Sequence, residues 1–148
     1  MEFKDYLTFL QKLHQELTEL NAVEQKKIAA VQAGDLDTLD ACMKQEQAAT
    51  MSLRGQEQRR NQLLKQLGLE QIPLRELPRH APDALRSETQ QTVERLMRTY
   101  QVLTSAQGAA RTLMESDLRK IERQLERGGP AARKSSEKGP AHTTDFRA

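Results

Sequence analysis

The 148-residue chain is poor in the residues that build most active sites and metal centres. Aromatic residues make up 3% of it, tryptophan is absent, and Cys42 is its one cysteine. A single cysteine cannot form an intramolecular disulfide, and the histidines at positions 14, 80 and 142 are too scattered for a metal-ligand motif. We therefore expect no metal site, no cofactor and no enzymatic activity.

Long apolar runs are also missing, and the charge is nearly balanced. No segment approaches the about 20 consecutive apolar residues of a membrane span, and the start of the chain, with Glu2 and Asp5, does not resemble a signal peptide. The net charge of +2 arises in the stretch after Arg127, so the body offers no basic face to phosphates. These patterns predict a cytoplasmic protein without membrane insertion or nucleic-acid binding.

Helical periodicity covers most of the chain. Apolar residues recur at spacings of three and four in three segments. The predicted inner face of the second helix consists of Leu36, Leu39, Met43, Thr50, Leu53, Leu64 and Leu67. Gly34 and Asp35 suit a tight turn between the first two helices, because glycine closes a helix in the left-handed conformation and aspartate caps the next one. Each of these helices has about 32 residues, which predicts an antiparallel hairpin.

Prolines separate this hairpin from a third helix. Three of the five prolines fall between residues 69 and 82, where a continuous helix cannot run. The third helix is expected to begin at Asp83, acting as its N-cap, and to end near residue 125. At about 42 residues it would extend some 15 Å beyond either partner.

The chain is therefore predicted to be an all-α, antiparallel three-helix bundle, a long helical hairpin plus a longer C-terminal helix. Residues 1–127 form the helical domain, and residues 128–148, which contain Phe146 as their one large apolar residue, are expected to be a disordered tail. The predicted elements are helices at about 4–33, 36–67 and 83–125, with a proline-rich linker at 69–82.

Polar residues interrupt the apolar stripes of the hairpin. Antiparallel pairing about the Gly34-Asp35 turn sets residue i near residue 70 minus i, which brings Glu24 and Lys27 beside Glu46. An ion pair between Lys27 and Glu46 in such a polar layer would fix the register of the hairpin at some expense of stability. The alternative is that these side chains extend into solvent at the edge of the seam.

The hairpin sequence also resembles a known family. The segment 20–39, with Glu24, Lys27 and Gly34-Asp35-Leu36, and the segments 45–47 and 57–68 are similar to the N-terminal half of the FlgN-like flagellar export chaperones. The resemblance covers about residues 5–68, and residues 83–125 only by length and helicity. It implies a cytoplasmic chaperone that binds hook-filament junction (hook-associated) proteins, prevents their early assembly and escorts them to the flagellar type III export apparatus.

The end of the third helix is the candidate client-binding surface. If this helix runs parallel to the first, it extends past the Gly34-Asp35 turn from about residue 115. Beyond that point the first helix no longer covers its apolar side. The resemblance likewise implies client contacts in this helix and the tail, where an aromatic residue stands near the C-terminus. The predicted client-binding residues are Leu113, Met114, Leu118, Ile121, Leu125 and Phe146.

Two structural alternatives and one functional alternative remain open at this point. The third helix could kink at Gly108 and fold these residues back, or the free protein could be a homodimer that buries them. The functional alternative is a general helical coiled-coil adaptor or another flagellar export accessory protein, for which the helices alone would be sufficient.

Overall fold

A computed structural model of the protein describes residues 2–127. Its α-helices are α1 (Phe3–Ala33), α2 (Leu36–Gln66) and α3 (Arg86–Arg127). Two short 3-10 helices, Leu74–His80 and Asp83–Leu85, lie in the linker between α2 and α3. The described residues contain no strand, so the predicted all-α, three-helix architecture is confirmed. The predicted tail, residues 128–148, lies outside the described residues.

A glycine turn folds α1 and α2 into the hairpin. Gly34 has a φ of 69°, the left-handed conformation that glycine adopts without steric cost. The N–H of Asp35 then returns to the carbonyl of Ala30 at 3.0 Å, which closes α1. The Asp35 carboxylate accepts the N–H of Thr38 at 3.1 Å and so caps α2. The chain therefore reverses direction within two residues, as the sequence predicts.

α1 is the helix against which both α2 and α3 pack. The linker packs as well, because α3 contacts both 3-10 helices and the side chains of Leu74 and Leu77 are buried, while Ile72 is half-buried. Burial of this apolar surface is the main favourable contribution to folding. The core consists of Tyr6, Leu10, Leu13, Leu17, Leu20, Leu53, Leu64, Leu74, Leu77, Val93, Leu96 and Leu103.

The inner face of α2 differs from the prediction. Leu36 is 74% exposed and Met43 37% exposed, so their assignment to this face is wrong. The buried face instead passes through Cys42, Glu46 and Arg60. Thr50, Leu53 and Leu64 are buried as predicted, so the predicted face is wrong only in the first part of α2, where Cys42 is buried in place of Met43.

The start of α3 also differs. Asp83 was expected to cap this helix, but it opens the 3-10 turn Asp83–Leu85, and α3 begins at Arg86. The carboxylate of Asp83 lies 2.8 Å from Nη2 of Arg86, so it pairs with a side chain of the first turn. The direction of α3 is nevertheless set directly after Pro82.

Gly55 offers a direct test of the α2 packing. It is exposed inside α2, and a Cβ added there would meet no atom within 4 Å. Gly55→Ala should therefore raise the free energy of unfolding, measured by urea denaturation, by about 1 kcal/mol, because alanine loses less backbone entropy on folding. Gly34→Ala is the matched control and should lower it by about 1 kcal/mol through its left-handed φ. A destabilised Gly55→Ala chain would contradict this packing of α2.

Candidate functional site

α3 runs parallel to α1, and side-chain contacts between them define their register. Nε2 of Gln11 donates to Oε1 of Glu88 at 2.9 Å, and Nε2 of His14 lies 2.9 Å from Oγ1 of Thr99. Further along, the amide of Gln107 lies beside the carboxyl of Glu24. Residue numbers rise together in these contacts, which is the signature of parallel helices.

This register carries α3 past the end of α1. If residue 24 lies level with residue 107, then Ala33, the last residue of α1, lies level with about residue 116. The remaining residues of α3 extend roughly 16 Å beyond the hairpin turn. We call residues 116–127 the overhang.

The apolar side chains of α3 become exposed where the overhang begins. Leu103 and Ala110 are fully buried against α1, and Leu113 and Met114 are half-buried. Leu118, Ile121 and Leu125 are 50%, 53% and 50% exposed. We call Met114, Leu118, Ile121 and Leu125 the apolar stripe, because their spacing of four, three and four places them on one side of the helix.

The helix does not fold this stripe back onto the bundle. α3 is one uninterrupted α-helix from Arg86 to Arg127, and Gly108 lies within it, exposed to solvent. Of the six predicted client-binding residues, Leu118, Ile121 and Leu125 therefore lie in the overhang, and Leu113 and Met114 lie just before it, half-buried beside the end of α1. The sixth, Phe146, lies outside the described residues.

The polar layer lies about two turns before the end of α1, and all three helices contribute to it. Nζ of Lys27 lies 2.9 Å from Oε2 of Glu46 and 3.9 Å from Oε2 of Glu24. These side chains are inside the bundle: Glu24 is 0%, Lys27 8% and Glu46 5% exposed. Gln107 of α3 completes the layer beside Glu24. The alternative in which these groups extend into solvent does not match this geometry.

Burial changes the protonation of the polar layer. It raises the pKa of Glu24 from its ordinary value of 4.5 to about 8, helped by the neighbouring carboxyl group of Glu46, whereas Lys27 and Gln107 act in the opposite direction. Glu24 is then largely protonated at neutral pH. The charge of Lys27 is balanced by Glu46 alone, and the layer is neutral overall.

A second buried polar contact was missed by the sequence reasoning. Nε of Arg60 donates to the hydroxyl of Tyr6 at 3.2 Å, with both residues buried at the linker end of the hairpin. Burial raises the pKa of Tyr6, and the nearby Arg60 partly offsets this. Arg60 is recognisable in the sequence as a charge on an apolar stripe, but its partner is not. The residue numbers of Tyr6 and Arg60 have a smaller sum than those of Lys27 and Glu46, so one antiparallel pairing rule does not predict both contacts.

The described residues provide neither a metal site nor a membrane-spanning helix. Within residues 2–127, no group of three or more histidine, cysteine or acidic side chains is placed to hold a metal ion. In the same part of the chain, none of the helices combines the length and apolar character needed to cross a membrane. Comparisons with protein-family models, curated proteins and solved structures found no match. The candidate site is therefore the apolar stripe, held in place by the polar layer.

The ion pair of the polar layer can be tested by charge exchange. Lys27→Glu should lower the free energy of unfolding by about 3 kcal/mol, since it brings a third carboxyl group into a buried site, and adding Glu46→Lys should recover more than about 1 kcal/mol of this loss. The exposed pair of Lys44 and Asp40, 3.0 Å apart on α2, is the control, and the same exchange there should show a coupling below about 0.5 kcal/mol. Additive effects at Lys27 and Glu46 would contradict the contact.

The protonation of Glu24 gives a pH dependence with a definite sign. The folded pKa of about 8 is above the ordinary 4.5, so its contribution to stability is fully present below pH 4.5 and is lost as the pH rises to about 8. Glu24→Gln should make the free energy of unfolding fall less steeply with rising pH and should stabilise the protein at pH 9 by on the order of 2 kcal/mol. Urea denaturation at several pH values measures it, with Glu19→Gln, exposed on the same helix, as the control. An unchanged slope in Glu24→Gln would refute the raised pKa.

Proposed function

We propose that this chain is a cytoplasmic helical chaperone of flagellar type III export, which binds hook-filament junction proteins, keeps them from assembling early and escorts them to the export apparatus. The observation that carries the proposal is the apolar stripe, half-exposed on a helix that extends past its bundle. The resemblance of residues 5–68 to FlgN-like chaperones supports the choice of client class.

The stripe is suited to an amphipathic helix from another chain. In the bundle, the same side of α3 is covered by α1, and in the overhang a client helix would occupy the position that α1 leaves empty. Docking of an amphipathic helix into such an apolar groove is a common mode of peptide recognition. Met114 adds a flexible side chain, which adapts to related client sequences.

The free energy that the apolar stripe can contribute to client binding is moderate. Complete burial of a leucine or isoleucine side chain contributes roughly 1.5–3 kcal/mol, so a side chain that is already half-buried contributes about half of that. Association also costs ordering entropy. The stripe therefore fits reversible binding, which suits a chaperone that has to release its client at the export apparatus.

The proposal predicts that polar substitutions in the stripe weaken client binding and leave the fold intact. The double variant Leu118→Ser, Ile121→Ser should weaken the Kd for a hook-filament junction protein by on the order of 50-fold, measured by calorimetry, because two half-exposed apolar side chains are lost. Its melting temperature should be unchanged, since Leu118 and Ile121 are about half-exposed and do not belong to the core. Val102→Ser is the control, because Val102 is 45% exposed on α3 but lies before the overhang.

Two outcomes would contradict the proposal in different ways. If the double variant binds hook-filament junction proteins as the wild type does, the stripe is not the client site. If the wild-type chain binds none of them, the flagellar assignment is wrong, and the general helical adaptor becomes the better description.

A further inference from the structure

The charged residues around the apolar stripe are distributed unevenly. At about 100° per residue, Asp117 lies on one side of the stripe, and Glu115 and Glu122 lie on the other, all within about 100° of its centre. The basic residues Arg119, Lys120 and Arg123 lie at about 120° or more, and Glu126 lies beside this opposite face at about 110°. From residue 115 onward the charged residues next to the stripe are thus acidic on both sides, whereas one turn earlier Arg111 lies about 50° from its centre.

These carboxylates are available to a partner. Glu115 is exposed, and Asp117 and Glu122 are half-buried. Within residues 2–127 the structure gives none of the three an ion pair, although Arg119 lies four residues after Glu115, at a spacing that often forms one. No ion pair within the described residues therefore holds these carboxylates away from a partner.

We propose that the stripe selects an amphipathic client helix whose apolar seam is flanked by lysine and arginine. The inference rests on the proposed function, since it specifies the helix that the chaperone site accepts. Opposite charges at the borders of a helix-helix seam favour the correct partner and speed its association. The overhang has about three turns, so the recognised segment has about 10 to 12 residues.

The same charges disfavour a second copy of this chain as the occupant. In a coiled-coil frame, Leu118 and Leu125 take position a, Met114 and Ile121 position d, Glu115 and Glu122 position e, and Asp117 position g. A parallel dimer would bring Asp117 against Glu122 of the second copy, and an antiparallel dimer would bring Glu115 near Glu122 of the second copy. Both arrangements place like charges together at the seam.

The test uses the full chain and three synthetic helical peptides of about 21 residues. All three carry leucine at positions a and d, and they differ only in having lysine, glutamine or glutamate at e and g. Fluorescence anisotropy should show the lysine peptide binding more than about tenfold tighter than the glutamate peptide in low salt, and this difference should shrink in high salt as the charges are screened.

Matched variants assign the preference to the acidic borders. Asp117→Lys with Glu122→Lys should reverse the order of the peptides, whereas Arg119→Glu with Arg123→Glu, on the opposite face, should leave it unchanged. Leu118→Ser with Ile121→Ser should weaken binding of all three peptides. Equal binding of the three peptides, or an order that Asp117→Lys with Glu122→Lys does not alter, overturns the proposal.

Other occupants of the stripe give distinct results. A dimer in sedimentation analysis that Leu118→Ser dissociates would show that a second copy covers the stripe, which overturns the proposal. Tenfold tighter peptide binding after Phe146→Ser would identify the chain's own C-terminal segment as the occupant, with the same consequence. The results also distinguish a failure of the proposed function from a failure of this inference. A preference for the lysine peptide without binding of hook-filament junction proteins refutes only the flagellar function. Binding of those proteins without a charge preference refutes only the present inference.

Discussion

α1 is the shared partner of α2 and α3, and it ends at Ala33 because Gly34 takes a left-handed conformation and Asp35 caps the next helix. The apolar side of α3 is covered only as far as α1 reaches. Leu103 and Ala110 are buried against it, while Leu118 and Ile121 are half-exposed a few residues later on the same helix. The place where α1 ends therefore decides which part of α3 belongs to the core and which part is left for another molecule.

The polar layer keeps this boundary in place. Apolar helices with regular spacing could also pack after a shift of one heptad, and a shift of α1 along α3 would move the boundary by about 10 Å. Such a shift would separate Gln107 from Glu24, and a shift of α2 along α1 would separate Lys27 from Glu46 and leave buried charges without partners. The layer costs stability because Glu24 must hold its proton to be buried at neutral pH. That cost is consistent with a role in register, since packing alone would be better served by leucine.

Much of this arrangement could be predicted from the sequence, because it depends on local signals. Periodicity gave the three helices, Gly34 and Asp35 gave the turn, and the pairing offset brought Lys27 to Glu46. The inner face of α2 could be predicted only in part: Leu53 and Leu64 are buried as expected, whereas Glu46 and Arg60 also belong to this face and Leu36 and Met43 do not. A charged side chain can be buried only where another helix supplies a partner. Arg60 finds such a partner in the hydroxyl group of Tyr6, and periodicity within one helix does not contain that information.

The acidic residues beside the stripe bear on which molecule can cover it. An exposed apolar surface marks an interaction site, and these carboxylates oppose pairing with a second copy of the chain but favour a helix of opposite charge. The basic residues on the far face keep the helix close to neutral, so the selectivity that we propose depends on the arrangement of the charges and not on their sum. Leu118, Ile121 and Leu125 do not belong to the core, so substitutions there should leave stability nearly unchanged. The hairpin turn and the polar layer have no such freedom, since they determine where the overhang begins.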